Sequence, residues 1–206
     1  QIPYGLTDFG RIQKENYYYV DKTMFIEKIE MQPSYLFLIR PDASGNINEV
    51  EESFRMHCYG KLSDFVYRYE HLLGKNIWKV LDEKTKEEPG AFLSAINTYA
   101  TRKGDIKIYL LIDEYDNFTN TILSTYGMDL YRKAMHGEGY IRRFFNVIKA
   151  ATTGMGSAVN RLFITGVSPV TMDDVTSGFN IGTNITNDPW FNDLVGFSEK
   201  ELREML

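Results

Sequence analysis

The chain has 206 residues, 43% of them hydrophobic, and a net charge of −5. That is enough for one packed domain with a small appendage, and the acidic balance weighs against a dedicated nucleic-acid binder. A single cysteine, Cys58, excludes a disulfide framework and a cysteine-based metal site. No apolar run reaches the roughly 18 residues of a membrane span and Gln1-Ile2-Pro3 does not read as a signal peptide, so composition predicts a soluble, cytoplasmic protein.

In chain order, the spacing of Phe25, Ile26 and Ile29 predicts a helix over 20–29 with Asp21 placed to cap it. Ser34 to Ile39 is an apolar, β-prone run stopped by Arg40-Pro41. Helical spacing resumes from Asn48 to Leu73 through Phe54, Leu62, Phe65, Val66 and Tyr69, with an interruption expected at Gly60. Residues 82–89 are charged and read as a solvated connection. A helix is expected over 90–100, a strand over Ile106 to Ile112, a helix over 140–151 and a strand from Arg161 to Gly166. Thr152 to Ser157, glycine-rich but with no lysine after it, reads as the turn between the last two.

Strands alternating with helices imply an α/β fold, and continuous apolar strands imply a parallel sheet covered on both faces. Ligands of such sheets sit at the carboxyl ends of the strands. There the sequence places Arg40, Asp113-Glu114, and Thr165 with Ser168. Three strands make a thin sheet for this length, so at least one strand is missing from the pattern.

The segment Leu110-Leu-Ile-Asp-Glu114 has the form of a Walker B element. In that reading Asp113 orients magnesium through water, and Glu114 polarises the water that attacks a terminal phosphate. An acidic turn after a strand, or a metal site built from Asp113, Glu114 and Asp116, uses the same residues. A phosphate loop should follow the first strand and open a helix whose free N–H groups face the anion. Instead Arg40-Pro41 is followed by Asp42-Ala-Ser-Gly-Asn46, without Gly-Lys-Ser or Gly-Lys-Thr. His136 beside two glycines and Cys58 without a basic neighbour read as structural, and Arg142-Arg143 as a helix-surface pair.

Seven segments, in order and spanning the chain, carry a resemblance: Ile2 to Phe9, Tyr18-Tyr-Val-Asp-Lys-Thr23, Phe37-Leu-Ile-Arg-Pro41, Leu110 to Phe118, Phe163 to Thr171, Asp174 to Asn180 and Gly196-Phe-Ser-Glu-Lys-Glu201. Together they resemble the predicted AAA-ATPase-like proteins, P-loop ATPases of gut and oral anaerobes. The resemblance implies a P-loop NTPase-like three-layer αβα sandwich with a mostly parallel sheet over 1–195, and the start of a helical lid at 196–206. It implies ATP and Mg2+ as ligands and a nucleotide switch acting on an attached effector domain. Family members usually continue into a nuclease-like domain of the PD-(D/E)XK type, so the resemblance implies such a domain as a partner in the full-length protein.

Carried over residue by residue, Asp113 and Glu114 become catalytic, with Asp113 holding Mg2+ through water. Thr165 or Ser168 becomes the γ-phosphate sensor, Ser168 being equally a turn residue before Pro169. Arg40, Pro41, Asp21 and Lys22 become nucleotide contacts, although Arg40 suits a salt bridge and Asp21 a helix cap. The family pattern breaks between Pro41 and Asp42, where the phosphate loop with its following helix and strand is absent. Either the sequence joins residues across a missing segment, or the protein is a non-catalytic interaction module that lost its loop.

Overall fold

The computed structural model describes residues 8–31, 35–39, 50–81, 85, 88–166 and 182–205. The chain divides into two compact units, one formed by 33–184 and the other by 1–32 together with 185–206.

The larger unit is a small parallel sheet with helices. Its strands are β1 (Tyr35–Ile39), β2 (Ile108–Ile112), β3 (Val159–Gly166) and β4 (Thr183–Asn184), in the order β2-β3-β1-β4. All pairings are parallel. The first three match the predicted apolar runs. The fourth is two polar residues long and carries no apolar signal in the sequence. The helices are α3 (Val50–Arg68), α4 (Glu70–Leu73), α5 (Ile77–Val80), α6 (Pro89–Lys103), α7 (Asn117–Met135) and α8 (Tyr140–Thr153).

Helix α8 shows why the pattern folds as it does. Ile141, Phe145, Ile148 and Ala151 recur at three- and four-residue steps and are all buried. Each large apolar side chain so placed contributes about 1.5–3 kcal/mol. They pack on α6, α7 and β3. Helix α6 starts with Pro89 in its first turn, where no intrahelical N–H is needed, and ends at Gly104 with φ 91°. Its Asn97 side-chain oxygen accepts from the backbone N–H groups of Ala158 and Val159, each at 3.1 Å, which fixes the start of β3. The turn predicted at 152–157 is present, with Gly156 at φ 76°.

The core has two clusters. One collects Leu162 and Ile164 with Tyr115, Ile122, Phe145 and Ile148, toward the carboxyl ends of the strands. The other collects Ile108 and Val159 with Phe92, Ile96 and Leu73, at their amino ends.

Two expectations are corrected here. Gly60 does not interrupt α3: it is exposed, a Cβ there would meet nothing within 4 Å, and the helix runs through it. The sheet is not covered evenly on both faces. Leu110 and Ile112 pack on the core, whereas Tyr109 and Leu111 on the opposite face of β2 are 48% and 69% exposed. Among the described strands β2 stands at the edge, and the face that carries Tyr109 and Leu111 is open.

The smaller unit contains α1 (Phe9–Lys14), α2 (Met24–Glu30), a 3-10 turn (Pro189–Phe191) and α9 (Glu199–Met205). Among its described residues Phe25 and Phe191 are the buried rings, with centroids 6.4 Å apart. Among the described residues no helix is long and apolar enough to cross a membrane.

Candidate active site

The parallel register decides what meets at the carboxyl end of the sheet. Ile112 pairs with Ile164, and Ile39 pairs with Gly166. The residues that follow β2 therefore emerge beside the last residues of the central strand, β3. Asp113 is exposed and Glu114 half-buried, while Tyr115 and Asp116 turn inward.

Thr165 organises this turn. Its hydroxyl donates to Asp113 Oδ1 and accepts from the Glu114 backbone N–H at 3.2 Å. Its carbonyl accepts from the Tyr115 N–H at 3.0 Å. One residue of β3 thus touches three consecutive residues after β2. The turn carries Glu114 into the left-handed region, at φ 51°. A non-glycine residue held there costs roughly 1–2 kcal/mol, and these hydrogen bonds offset it. Strain retained at a strand end is characteristic of functional turns. The Glu114 side chain accepts from Asn117 Nδ2 at 3.4 Å.

Asp116 has a different role. It stands at the N-cap of α7 and is fully buried. Its carboxylate accepts from Asn120 Nδ2 at 3.1 Å, and its carbonyl accepts from the Thr119 hydroxyl at 2.7 Å. Among the described residues no group of three or more His, Cys, Asp or Glu is placed to hold a metal ion. The three-carboxylate metal site of Asp113, Glu114 and Asp116 is therefore not formed: Asp116 points into the fold and starts a helix.

The other candidates separate. Arg40, Pro41 and Ser168 lie outside the described residues. Asp21 and Lys22 belong to the smaller unit. Asp21 Oδ1 accepts from the Thr23 N–H at 2.8 Å in the turn before α2, whose N-cap is Thr23 rather than the predicted Asp21, and the Thr23 side chain, followed by this amide, lowers its carboxyl titration. Lys22 Nζ pairs with Glu201 Oε1 at 2.7 Å. Glu201 also closes a reciprocal cap on α9. Its Oε2 accepts from the Ser198 N–H at 2.6 Å, and its own N–H donates to Ser198 Oγ at 3.3 Å. The Lys22 hydrogen bond, followed by the Ser198 N–H, brings the Glu201 carboxyl down to about 2. Tyr18 adds a hydroxyl bond to the Glu201 carbonyl at 3.0 Å. Sequence reasoning missed Glu201, although Ser198-Glu-Lys-Glu201 has the capping-box form that would have found it. Cys58 is a core thiol, pushed up to about 12 by burial.

Comparison with known proteins gives the context. The profile of the family described as Predicted AAA-ATPase matches residues 3–46 and 42–176. The match comes in two pieces that meet at 42–46, next to the Pro41/Asp42 break. A curated relative from Azotobacter chroococcum mcd 1, an uncharacterized protein in the vnfD 5′ region, is 24% identical over 235 aligned residues. The alignment covers 98% of this chain and 44% of that protein, so the chain spans less than half of the relative's length. No solved structure matches the chain significantly. With the family profile covering most of its length, the chain belongs to the predicted AAA-ATPase family.

Proposed function

We propose that this chain is the ATP-binding and ATP-hydrolysing part of a P-loop ATPase, with its water-activating half at the end of β2. The observation that carries the reading is Thr165. A hydroxyl at the end of the central strand is bonded to Asp113 and to the amide of Glu114, so a polar strand end and an acidic strand end act as one unit. Asp113, exposed and steadied by a neutral hydroxyl, suits a carboxylate that takes hydrated magnesium in its outer shell. Magnesium supplies charge neutralisation of the phosphate oxygens when bound. Glu114 is fixed at its backbone and half-buried, which suits the base that orients and polarises a water. Thr165, and Ser168 beyond it, suit a sensor that couples the terminal phosphate to this turn.

The phosphate-binding half belongs to a segment between Pro41 and Asp42 that this sequence lacks. Three observations support the join. The family match is broken at 42–46. The relative's alignment extends over 235 positions against the 206 of this chain. Strand β2 exposes Tyr109 and Leu111, on a face that a further helix of an αβα sandwich would cover. The expected role is a nucleotide switch acting on an effector domain in the full-length protein.

The test is the gene sequence across Pro41/Asp42 followed by ATP binding and turnover of the full-length product. A Gly-Lys-Ser or Gly-Lys-Thr loop with measurable turnover is expected. A direct Pro41-Asp42 junction, with no ATP binding by calorimetry, would overturn the reading in favour of a non-catalytic interaction module.

A further inference from the structure

We infer that Gly166 is a positioning residue for Glu114: its missing side chain is the seat of the Tyr115 ring, and that seat holds the catalytic turn in register. The inference rests on the ATPase reading above for its functional consequence, but not for its structural content. A Cβ placed on Gly166 would lie 2.1 Å and 2.3 Å from two ring carbons of Tyr115, and 2.9 Å from Asp116 Oδ1. These distances are far inside van der Waals contact, so Tyr115 and a side chain at 166 cannot coexist as placed. The ring has little room to move away. Tyr115 is 7% exposed and packs in the cluster that contains Ile122, Leu162 and Ile164.

The consequence reaches Glu114 because the turn is short. Tyr115 donates its N–H to the Thr165 carbonyl and follows directly on Glu114, whose own N–H is bonded to the Thr165 hydroxyl. Displacing the ring pulls the backbone of Tyr115 from β3, and the left-handed Glu114 loses the support on its carboxyl side. Gly166 is also the partner of Ile39, the last residue of β1. The glycine therefore sits between the strand that leads to the phosphate-binding segment and the turn that carries the base. Misplacing a reacting group by about 1 Å costs about 100-fold in rate.

The experiment is a size-compensation cycle in the full-length protein with Gly166→Ala, Tyr115→Ala and the double variant. Gly166→Ala should lower kcat by about 100-fold, with the ATP dissociation constant changed by less than about threefold and faster amide exchange at Glu114 and Tyr115. In the Tyr115→Ala background, where the clash is gone, the same substitution should have almost no further effect on kcat or exchange. Equal loss in both backgrounds, or wild-type turnover in Gly166→Ala, overturns the proposal. If Gly166→Ala alone does not fold, recovery of folding in the double variant supports the seat, and failure there overturns it. If the wild-type protein hydrolyses no ATP, the ATPase reading has failed, and the exchange measurements still decide whether Gly166 positions the turn.

Discussion

The two units each hold a carboxylate at the centre of a small polar network, and the networks are built differently. In the smaller unit both oxygens of Glu201 are engaged, one by the Lys22 ammonium and the other by the Ser198 amide. In the larger unit the bond described for Asp113 comes from a hydroxyl, and Glu114 is set by its backbone amide and by Asn117. A carboxylate closed by a cation and a helix cap is committed to structure. The Asp113-Glu114 turn is instead held to the hydroxyl of Thr165 on the neighbouring strand. That difference sets the acidic pair proposed above for catalysis apart from the acidic residue that ties two family motifs together.

The sharpest way to break the comparison is Glu114→Gln. The amide keeps the size of the side chain and removes the base. Turnover should fall by about 10²- to 10⁴-fold while ATP still binds, measured by steady-state hydrolysis and calorimetry. Undiminished turnover would remove Glu114 from the mechanism. Glu201→Gln keeps the same size and loses the ion pair with Lys22, so its primary effect should be on the order of α9, read by amide exchange over residues 199–205.

A smaller effect is expected from Thr165→Val. Valine matches the shape but cannot donate to Asp113 or accept from the Glu114 N–H. The half-buried amide left without this partner should cost about 1 kcal/mol of stability, read by denaturant unfolding. Turnover should fall about tenfold, in line with a lost hydrogen bond to a charged group. Thr165→Ser, which retains the hydroxyl, should restore most of both. Equal loss in Ser and Val variants would show that packing, not the hydroxyl, sets the turn.

These tests fall on residues whose legibility in the sequence was uneven. The apolar runs of β1, β2 and β3 announced themselves, and Asp113, Glu114 and Thr165 were visible as polar ends of those runs. Their contact was not visible, because it depends on the register of two strands separated by about fifty residues, and that register is set by packing. Helix α7 went unpredicted. Its sequence begins Asn-Phe-Thr-Asn-Thr, poor in helix formers, and it bends at Gly127, which sits at φ 79° inside the run. Its polar start buries Thr119 and Thr121, so polarity there does not mark a loop. Gly166 was read as the stop of a strand, since nothing local says that a ring from residue 115 will occupy the space of its side chain. Among the described residues β2 is not buried evenly on its two faces, because a continuous apolar run reports what a strand can bury and not what covers it.

The smallest effect sharpens the structural side of the comparison and has a definite sign. The folded Glu201 carboxyl lies at about 2, below the ordinary value of 4.5, because Lys22 and the Ser198 amide favour its charged form. A carboxyl depressed in the folded state contributes stability that is fully present above its unfolded value, and loses it as pH falls toward the folded one. Order in α9 should therefore hold at pH 6, decline between about pH 4.5 and pH 2, and change little below that. The cap and pair are near the surface, so added salt should narrow the decline by screening. In Lys22→Met the first cause of the depression is gone, and the Glu201 midpoint should move up toward the ordinary 4.5 while the Ser198 bond keeps it somewhat below. Carbon-detected NMR titration of Glu201 reads this directly. A midpoint that stays near 2 without Lys22 would transfer the effect to the helix cap and leave the lysine uncommitted to this pair.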